Sequence, residues 1–539
     1  MPGRNQKKAL TYKISFDLLC LVLLYAGAGQ KAINPSAASR SPVAISAASS
    51  QSAFGIKPAS QSQGVIAIVG GTVIDGTGTS PVKNAVVVIK GNKIVSVGSK
   101  NRTKYPRDAK VIDATGKYII PGLIDMHIHY HDWMGELFLA HGVTTVKDLG
   151  NVVEWISAVS ADVEQGRMRG PRIFYVGNGL DAPPPARETH VAVDTPEMAR
   201  RAVQLLHSRG ACAIKVREKI TPELLQAVTA EAYRLGIRVT GHIRRTDARE
   251  AALAGIDGLE HASGVLQAIA NHPREAEAGQ NELQTFVTDL KAFGKLESAQ
   301  SEALITLLVS KKVALIPTMV NWWRMATERR DDFAREDASC ASNQSLTYVP
   351  EAVRNWWAAS AIYNVKNPDD LAQIKLGFKK IQDLLLRHYK AGGKVLVASD
   401  TFNSVPGLSL QRELILLVDS GFTPMQAITM ATHDNAEFLG KGNDLGTIAR
   451  GKLADLVVLK ANPLSDIRNI EQIAMVIKDG QILDTSYHSN YSIPTPKPKI
   501  TRPVWLEKEL QQTSLRRQKL DVSIGSIRAH SVNGPRNID

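Results

Sequence analysis

The sequence predicts an α/β protein, a (β/α)8 barrel with a small sheet domain assembled from both ends of the chain. Three observations lead there. Short apolar runs alternate with helical patterns through residues 121–439. Turn-punctuated, β-branched stretches flank that middle on both sides. Metal-compatible side chains recur at the C-terminal ends of the runs, the end at which a barrel gathers its active-site loops.

The N-terminus reads as an export signal over residues 1–28. Arg4, Lys7, Lys8 and Lys13 precede the apolar run LLCLVLLYAGA, which closes on Ala26-Gly27-Ala28, a small-x-small cleavage pattern. The run is short for a permanent span. Export to a periplasmic or extracellular space is the expectation, with an uncleaved N-terminal anchor as the alternative. Residues 29–62 are rich in Ser, Ala and Gln and read as a flexible linker.

The sheet domain is expected over 63–120 and 440–489. VIAIVGGTVID and AVVVIKGNKIVSVG carry the strand pattern, with a tight turn at Lys90-Gly91-Asn92-Lys93. The same texture returns at Ala454–Leu459 and Met475–Gly480. Between them, eight barrel strands are expected: Leu123–His129, Thr144–Asp148, Arg172–Val176, Ala213–Val216, Arg238–His242, Gly258–His261, Ala314–Pro317 and Lys394–Ser399. TPEMARRAVQLLHSRG and TPELLQAVTAEAYRLG each open on Thr-Pro, an N-cap followed by proline at the first helical position. Thr423-Pro424-Met425-Gln426 is a capping box opening a helix after the barrel. Long connections precede strands seven and eight, and the latter contains Trp322-Trp323 and Trp356-Trp357. These pairs shape a substrate pocket or pack the insertion. The stretch 490–539, with IPTPKPKITRP, reads as a basic, partly disordered and solvated tail.

Charge argues against a nucleic-acid partner. The net charge is +13, but residues 1–60 hold +6 and residues 490–539 hold +5, leaving +2 for the body. No stable membrane partner is expected, a homo-oligomer is compatible, and the partner of interest is a small-molecule substrate. Three cysteines, Cys20, Cys212 and Cys340, give neither a disulfide framework nor a thiolate zinc site.

In GLIDMHIHYHDW, His127 and His129 stand at i and i+2, so a strand aims both imidazoles one way. Two convergent neutral nitrogens suit a divalent ion such as zinc. Lys215 ends AIKV, His242 ends RVTGH, His261 ends GLEH and Asp400 ends KVLVASD. Each alone is more often a hydrogen-bonded structural residue. Their joint placement at strand ends favours one metal centre.

The stretches PGLIDMHIH, GVTTVKD, CAIKV, VTGHI, GLEHAS, VASDT and LGTIARGKLADLVVL, in that order, resemble the amidohydrolase superfamily over about residues 64–485. The nearest branch contains imidazolonepropionase-like proteins and metal-dependent Xaa-Pro and Xaa-Arg dipeptidases. The resemblance implies a distorted (β/α)8 TIM barrel with a flanking β-sandwich. It implies two divalent ions, zinc foremost. His127, His129 and Asp400 would hold one, His242 and His261 the other, and Lys215, once carboxylated, would bridge them. A single metal with unmodified Lys215 is the alternative. Such ions generate hydroxide from water near neutral pH and polarise the substrate carbonyl. Asp400 would also serve as the proton carrier.

The family pattern uses only the first two histidines, so His131 and Tyr130 read as loop residues near the substrate. Asp125 reads either as a partner orienting an imidazole or as a buried residue satisfied by backbone. Arg217 and Arg244 follow the strand parity of Lys215 and His242, and either could grip a substrate carboxylate. Both also read as solvent-exposed loop arginines. Lys215-Val216-Arg217-Glu218 departs from the Gly-rich continuation expected of the dipeptidase branch. The expected activity is hydrolysis of an amide (C–N, non-ester) bond in an N-acyl amino acid, dipeptide or cyclic amide. Ring deamination or ester or lactone hydrolysis would use the same site, and a non-catalytic binding barrel is the alternative of another class.

Overall fold

The computed structural model describes residues 64–499, apart from 271, 275–281, 360–364, 366, 402 and 403, together with 506–510. The signal read at 1–28 and the linker at 29–62 lie outside the described residues. No helix among the described residues is long and apolar enough to cross a membrane.

Both ends of the chain build one eight-stranded sheet. The N-terminal side gives Val65–Val73, Val82–Lys90, Lys93–Ser99, Lys110–Asp113 and Tyr118–Pro121, and the C-terminal side gives Leu456–Leu459, Ile473–Lys478 and Gln481–Leu483. The two sides are sewn together where Leu456–Leu459 runs antiparallel to Tyr118–Pro121. Ile68, Val87, Ile89, Ile119, Leu456, Val458 and Ile477 form a core distinct from that of the barrel. Lys90 pairs with Lys93 across the tight turn. Gly91 takes φ 59° there, as a two-residue hairpin with glycine at its first central position requires.

The barrel strands are Leu123–Ile128, Val143–Asp148, Arg172–Tyr175, Ala213–Val216, Arg238–Gly241, Gly258–Glu260 and Ala314–Ile316, followed by the segment 394–401. Each of the first seven falls within two residues of its expected bounds. Strands four to seven pair in parallel in sequence order, as do strands one to three. The eighth differs from a regular strand. It closes the barrel through single bridges, Val395 with Leu315 and Thr401 with Ile128. Side chains take over part of its ladder: Asn435 Oδ1 accepts from Val397 N at 3.1 Å, and Asp125 Oδ1 accepts from Ser399 N at 2.9 Å. The helices Pro196–Ser208 and Pro222–Arg234 carry the expected caps, with Thr195 and Thr221 accepting from Met198 N and Leu224 N. The capping box at Thr423 and Gln426 is also present.

The lower barrel is filled by Ile124, Met126, Phe174, Ala314, Ile316, Leu396 and Ala398, closed from below by Ala436, Phe438, Leu445 and Leu453. Trp357, in the insertion before strand eight, is buried edge-on to Trp133 at 6.0 Å, so it packs the insertion.

The tail reading needs correction over its described part. After Leu483 the chain returns across the barrel rather than into solvent. His488 Nδ1 meets buried Glu136 at 2.7 Å, Tyr491 Oη donates to Arg169 O at 2.7 Å, and Trp155 Nε1 donates to Thr495 O at 3.1 Å. Lys497 N donates to Asp132 Oδ2 at 2.9 Å, and Tyr491, Leu506 and Leu510 are buried. Interspersed aromatic and leucine side chains, masked in the sequence by Pro and Lys, give the segment apolar area to bury.

Candidate metal centre

The first barrel strand ends in a register irregularity between Asp125 and Ile128. Such a bulge re-aims side chains next to active sites. Ile128 turns into the outer core, while His127 and His129 face Asp400 from across the closure. His127 Nε2 lies 3.1 Å and His129 Nε2 3.2 Å from Asp400 Oδ1. His261 Nε2 stands 3.6 Å from Asp400 Oδ2, and its ring is 5.0 Å from that of His127 and 4.6 Å from that of His242. Lys215 enters the same space from strand four, fully buried. All six residues expected at the centre therefore converge. His261, Thr318 and Asp400 leave their strands at φ 60°, 51° and 49°, backbone conformations that cost energy in non-glycine residues and cluster at functional sites.

The donor chemistry fits divalent ions. Neither ring nitrogen of buried His127 has a well-formed hydrogen bond, which leaves this side chain available as a ligand. His127, His129 and Asp400 present ligand atoms within 4.8 Å of one another. Burial holds the imidazoles of His127 and His242 well below the usual histidine range and brings His261 down to about 3. All are thus in the neutral form that binds metal. Thr318 fixes one tautomer. Its hydroxyl donates to Pro317 O at 2.7 Å and so accepts from His261 Nδ1 at 2.5 Å, leaving Nε2 with its lone pair toward Asp400. Burial pushes Lys215 well below the usual amine range, with the Arg217 charge adding to it. The neutral amine is the form that takes up CO₂. Burial raises Asp400, but His127 and His261 outweigh it and pull the carboxyl well below its ordinary value.

Two residues of the site were not read from the sequence. Asn321 Nδ2 donates to Asp400 Oδ2 at 2.5 Å. Its loop is pinned by buried Glu413, which accepts from Met319 N at 3.0 Å and Val320 N at 2.8 Å. The other is Glu260, fully buried one position before His261. Glu260 Oε2 lies 3.3 Å from His127 Nδ1 and contacts Lys215 Nζ. A carboxylate inside an apolar strand rarely stands without a partner, which was the available signal.

The readings of Tyr130 and Arg244 are corrected. Tyr130 does not face the substrate: it is buried, stacked on Phe138 with centroids 6.3 Å apart. It lies past the strand, which ends at Ile128, where Asp148 Oδ2 accepts from its backbone N–H at 2.8 Å. Arg244 is held by Asp289 in a two-pronged pair at 2.9 and 3.2 Å, because the strand ends at Gly241 and parity no longer applies. His131 stacks on Trp133 at 5.8 Å, outside the ligand cluster. Asp125 accepts from the Ser399 backbone N–H and hydroxyl and from the His127 backbone N–H, so the backbone-satisfied reading is the one its recorded partners support. Arg217 does sit at the mouth, nearly fully buried, where its charge bears on Lys215, His242 and His261. Trp323 reaches the centre indirectly, edge-on to Phe286, whose ring lies 6.0 Å from that of His261.

Fold and site together define a barrel hydrolase of the metal-dependent kind. The chain belongs to the amidohydrolase family, whose model matches residues 118–483. It is 24% identical over 393 residues to a dihydroorotase of Trichlorobacter lovleyi, covering 69% of this chain and 84% of that one. The fold is shared with a Xaa-Pro dipeptidase solved with methionine in its active site, at 22% identity and TM-score 0.55, covering 78% of this chain and all of the other. It is also shared with molinate hydrolase, at 21% identity and TM-score 0.56, over 78% and 95% of the two chains.

Proposed function

We propose that this chain hydrolyses an amide bond, outside or within a dipeptide, of a small substrate bearing a carboxylate: an N-acyl amino acid, a dipeptide or a cyclic amide. His127, His129 and Asp400 would hold one divalent ion and His242 and His261 a second, zinc foremost, with carboxylated Lys215 between them. Bound there, such ions polarise a carbonyl and activate water. Asp400 moves the proton. Its Oδ2 is fixed by Asn321 and faces His261, so it can take a proton at that atom and return it to the leaving nitrogen.

The observation that carries the substrate reading is a buried arginine, Arg217, two residues past Lys215 at the mouth. The charges of Arg217 and Arg187 both bear on Lys215 and His190, and Arg217 is buried. A buried guanidinium beside a hydrolytic centre is a receptor for a carboxylate. Of the two arginines first considered, Arg217 is the one at the mouth, with Glu218 3.6 Å from its guanidinium, while Arg244 is held away from it in a two-pronged pair with Asp289. The test is a library of N-acyl amino acids and dipeptides, each beside its C-terminal amide, on metal-replete protein. Arg217→Ala is expected to raise KM for the acids by about 10- to 100-fold and leave the amides unchanged. Equal effects on both would sink the carboxylate reading. Export belongs to the same proposal, and full-length chain recovered uncleaved in the cytosol would count against it.

A further inference from the structure

Glu260 is a problem that the ligand set alone does not solve. Its side chain has no exposure, and neither carboxylate oxygen makes a well-formed hydrogen bond among the described residues. A carboxylate left unsatisfied in an interior is costly, so its neighbours must be its donors. Two are in place: His127 Nδ1 at 3.3 Å, and Lys215 Nζ in contact.

The strand explains how Glu260 comes to be there. Gly258 faces the barrel interior, where an added Cβ would meet Ile316, Thr240 and Phe438. Leu259 points outward into the helix layer, and Glu260 therefore points inward, one layer above Gly258. The turn to φ 60° at His261 then lets two consecutive residues serve one centre.

We propose that Glu260 is a positioning residue shared by both halves of the metal centre, its carboxylate accepting Nδ1–H of His127 and Nζ–H of Lys215. This rests on the metal-dependent reading above. The first bond fixes the His127 tautomer, so that Nε2, 3.1 Å from Asp400, keeps its lone pair for an ion. The second survives carboxylation. Addition of CO₂ to the neutral amine forms an Nζ–C bond, releases one proton to solvent and leaves one N–H on the nitrogen. That N–H remains a donor to Glu260, which holds the carbamate oxygens facing away, toward the histidines. Thr318 does for His261 what Glu260 does for His127. Glu260 differs in tying a ligand of the first ion to the bridge between the two.

The experiment compares wild type, Glu260→Gln and Glu260→Asp, each loaded with zinc and ¹³C-bicarbonate. Three readouts are taken: ions per chain after dialysis, zinc affinity by calorimetry, and the carbamate carbon by NMR. Thermal unfolding of the metal-free forms reports structure separately. Glu260→Gln is expected to fold, lose 10- to 100-fold in zinc affinity at both positions together, and lose the carbamate resonance. Glu260→Asp is expected to fall between, since it keeps the charge but is one methylene shorter. Wild-type zinc affinity and a full carbamate signal in Glu260→Gln would overturn the proposal. If that variant does not fold, wild-type behaviour of Glu260→Asp at both ions would overturn it equally. A wild type that takes up neither zinc nor CO₂ would sink the metal centre itself, and this role with it.

Discussion

The upper and lower halves of the barrel interior are built on opposite rules. In the floor, Ile124, Met126, Ile316, Leu396 and Phe438 fill space with apolar side chains. In the mouth, one layer higher, His127, Lys215, Glu260, His261 and Asp400 crowd together, buried, and the polar side-chain atoms of the first three make no well-formed hydrogen bond among the described residues. Backbone strain divides the same way. His261, Ala262, Thr318 and Asp400 adopt positive φ at the mouth. The floor is stabilised by close packing, as protein interiors generally are. The mouth gathers polar groups that do not fully satisfy one another, at a cost that the packed floor offsets. The same strands thus give stability at one end and chemistry at the other.

The largest effect that would sharpen this contrast is at Asp400. Asp400→Asn keeps an oxygen ligand and the shape but removes the proton carrier. Turnover is expected to fall by about 1000-fold while bound metal stays near the wild-type level. Substantial turnover in a metal-replete Asn variant would remove Asp400 from its chemical role. The floor should behave in reverse. Leu396→Ala is expected to cost about 2–5 kcal/mol in denaturant unfolding and leave metal stoichiometry intact. Loss of metal without loss of stability would mean that the two layers are not separable.

A smaller effect comes from beneath the floor. His388 is fully buried, packed against Gly393 where an added Cβ would strike its ring, and burial lowers it to about 4. The unfolded chain therefore binds a proton that the folded chain refuses between pH 6.5 and 4. Stability from this group is complete above 6.5, is lost as pH falls toward 4 and is flat below, amounting to about 3 kcal/mol. The slope of unfolding free energy over that window should flatten in His388→Gln. An unchanged slope would place the acid sensitivity elsewhere.

How much of this was legible follows the same division. The residues that converge at the mouth were readable because strand ends are local properties: His127 and His129 stand two apart at the end of one strand, and the barrel brings the other ends together. Glu260 was not, because on a regular strand it would face away from its neighbour His261, and only the left-handed turn at His261 reconciles them. Asn321 was hidden for a similar reason. It lies beyond strand seven, in a loop whose course is set by Glu413, 92 residues later. Arg244 was misjudged because parity was extended past the end of its strand. The tail was misjudged because its prolines and lysines drew attention away from Tyr491, Leu506 and Leu510.

The sheet domain has a consequence for how the chain is made. Its N-terminal strands leave the ribosome first, yet Pro121 pairs with Leu456, a partner synthesised 335 residues later. At about 5–20 residues per second, that interval is on the order of half a minute or so. Through it Tyr118–Pro121 presents an unpaired β edge with the apolar side chains Ile119 and Ile120 beside it. An edge of that kind recruits other strands when its own is late. The birth of this protein thus contains a waiting period that the finished fold conceals, and chaperone dependence during synthesis is its natural signature.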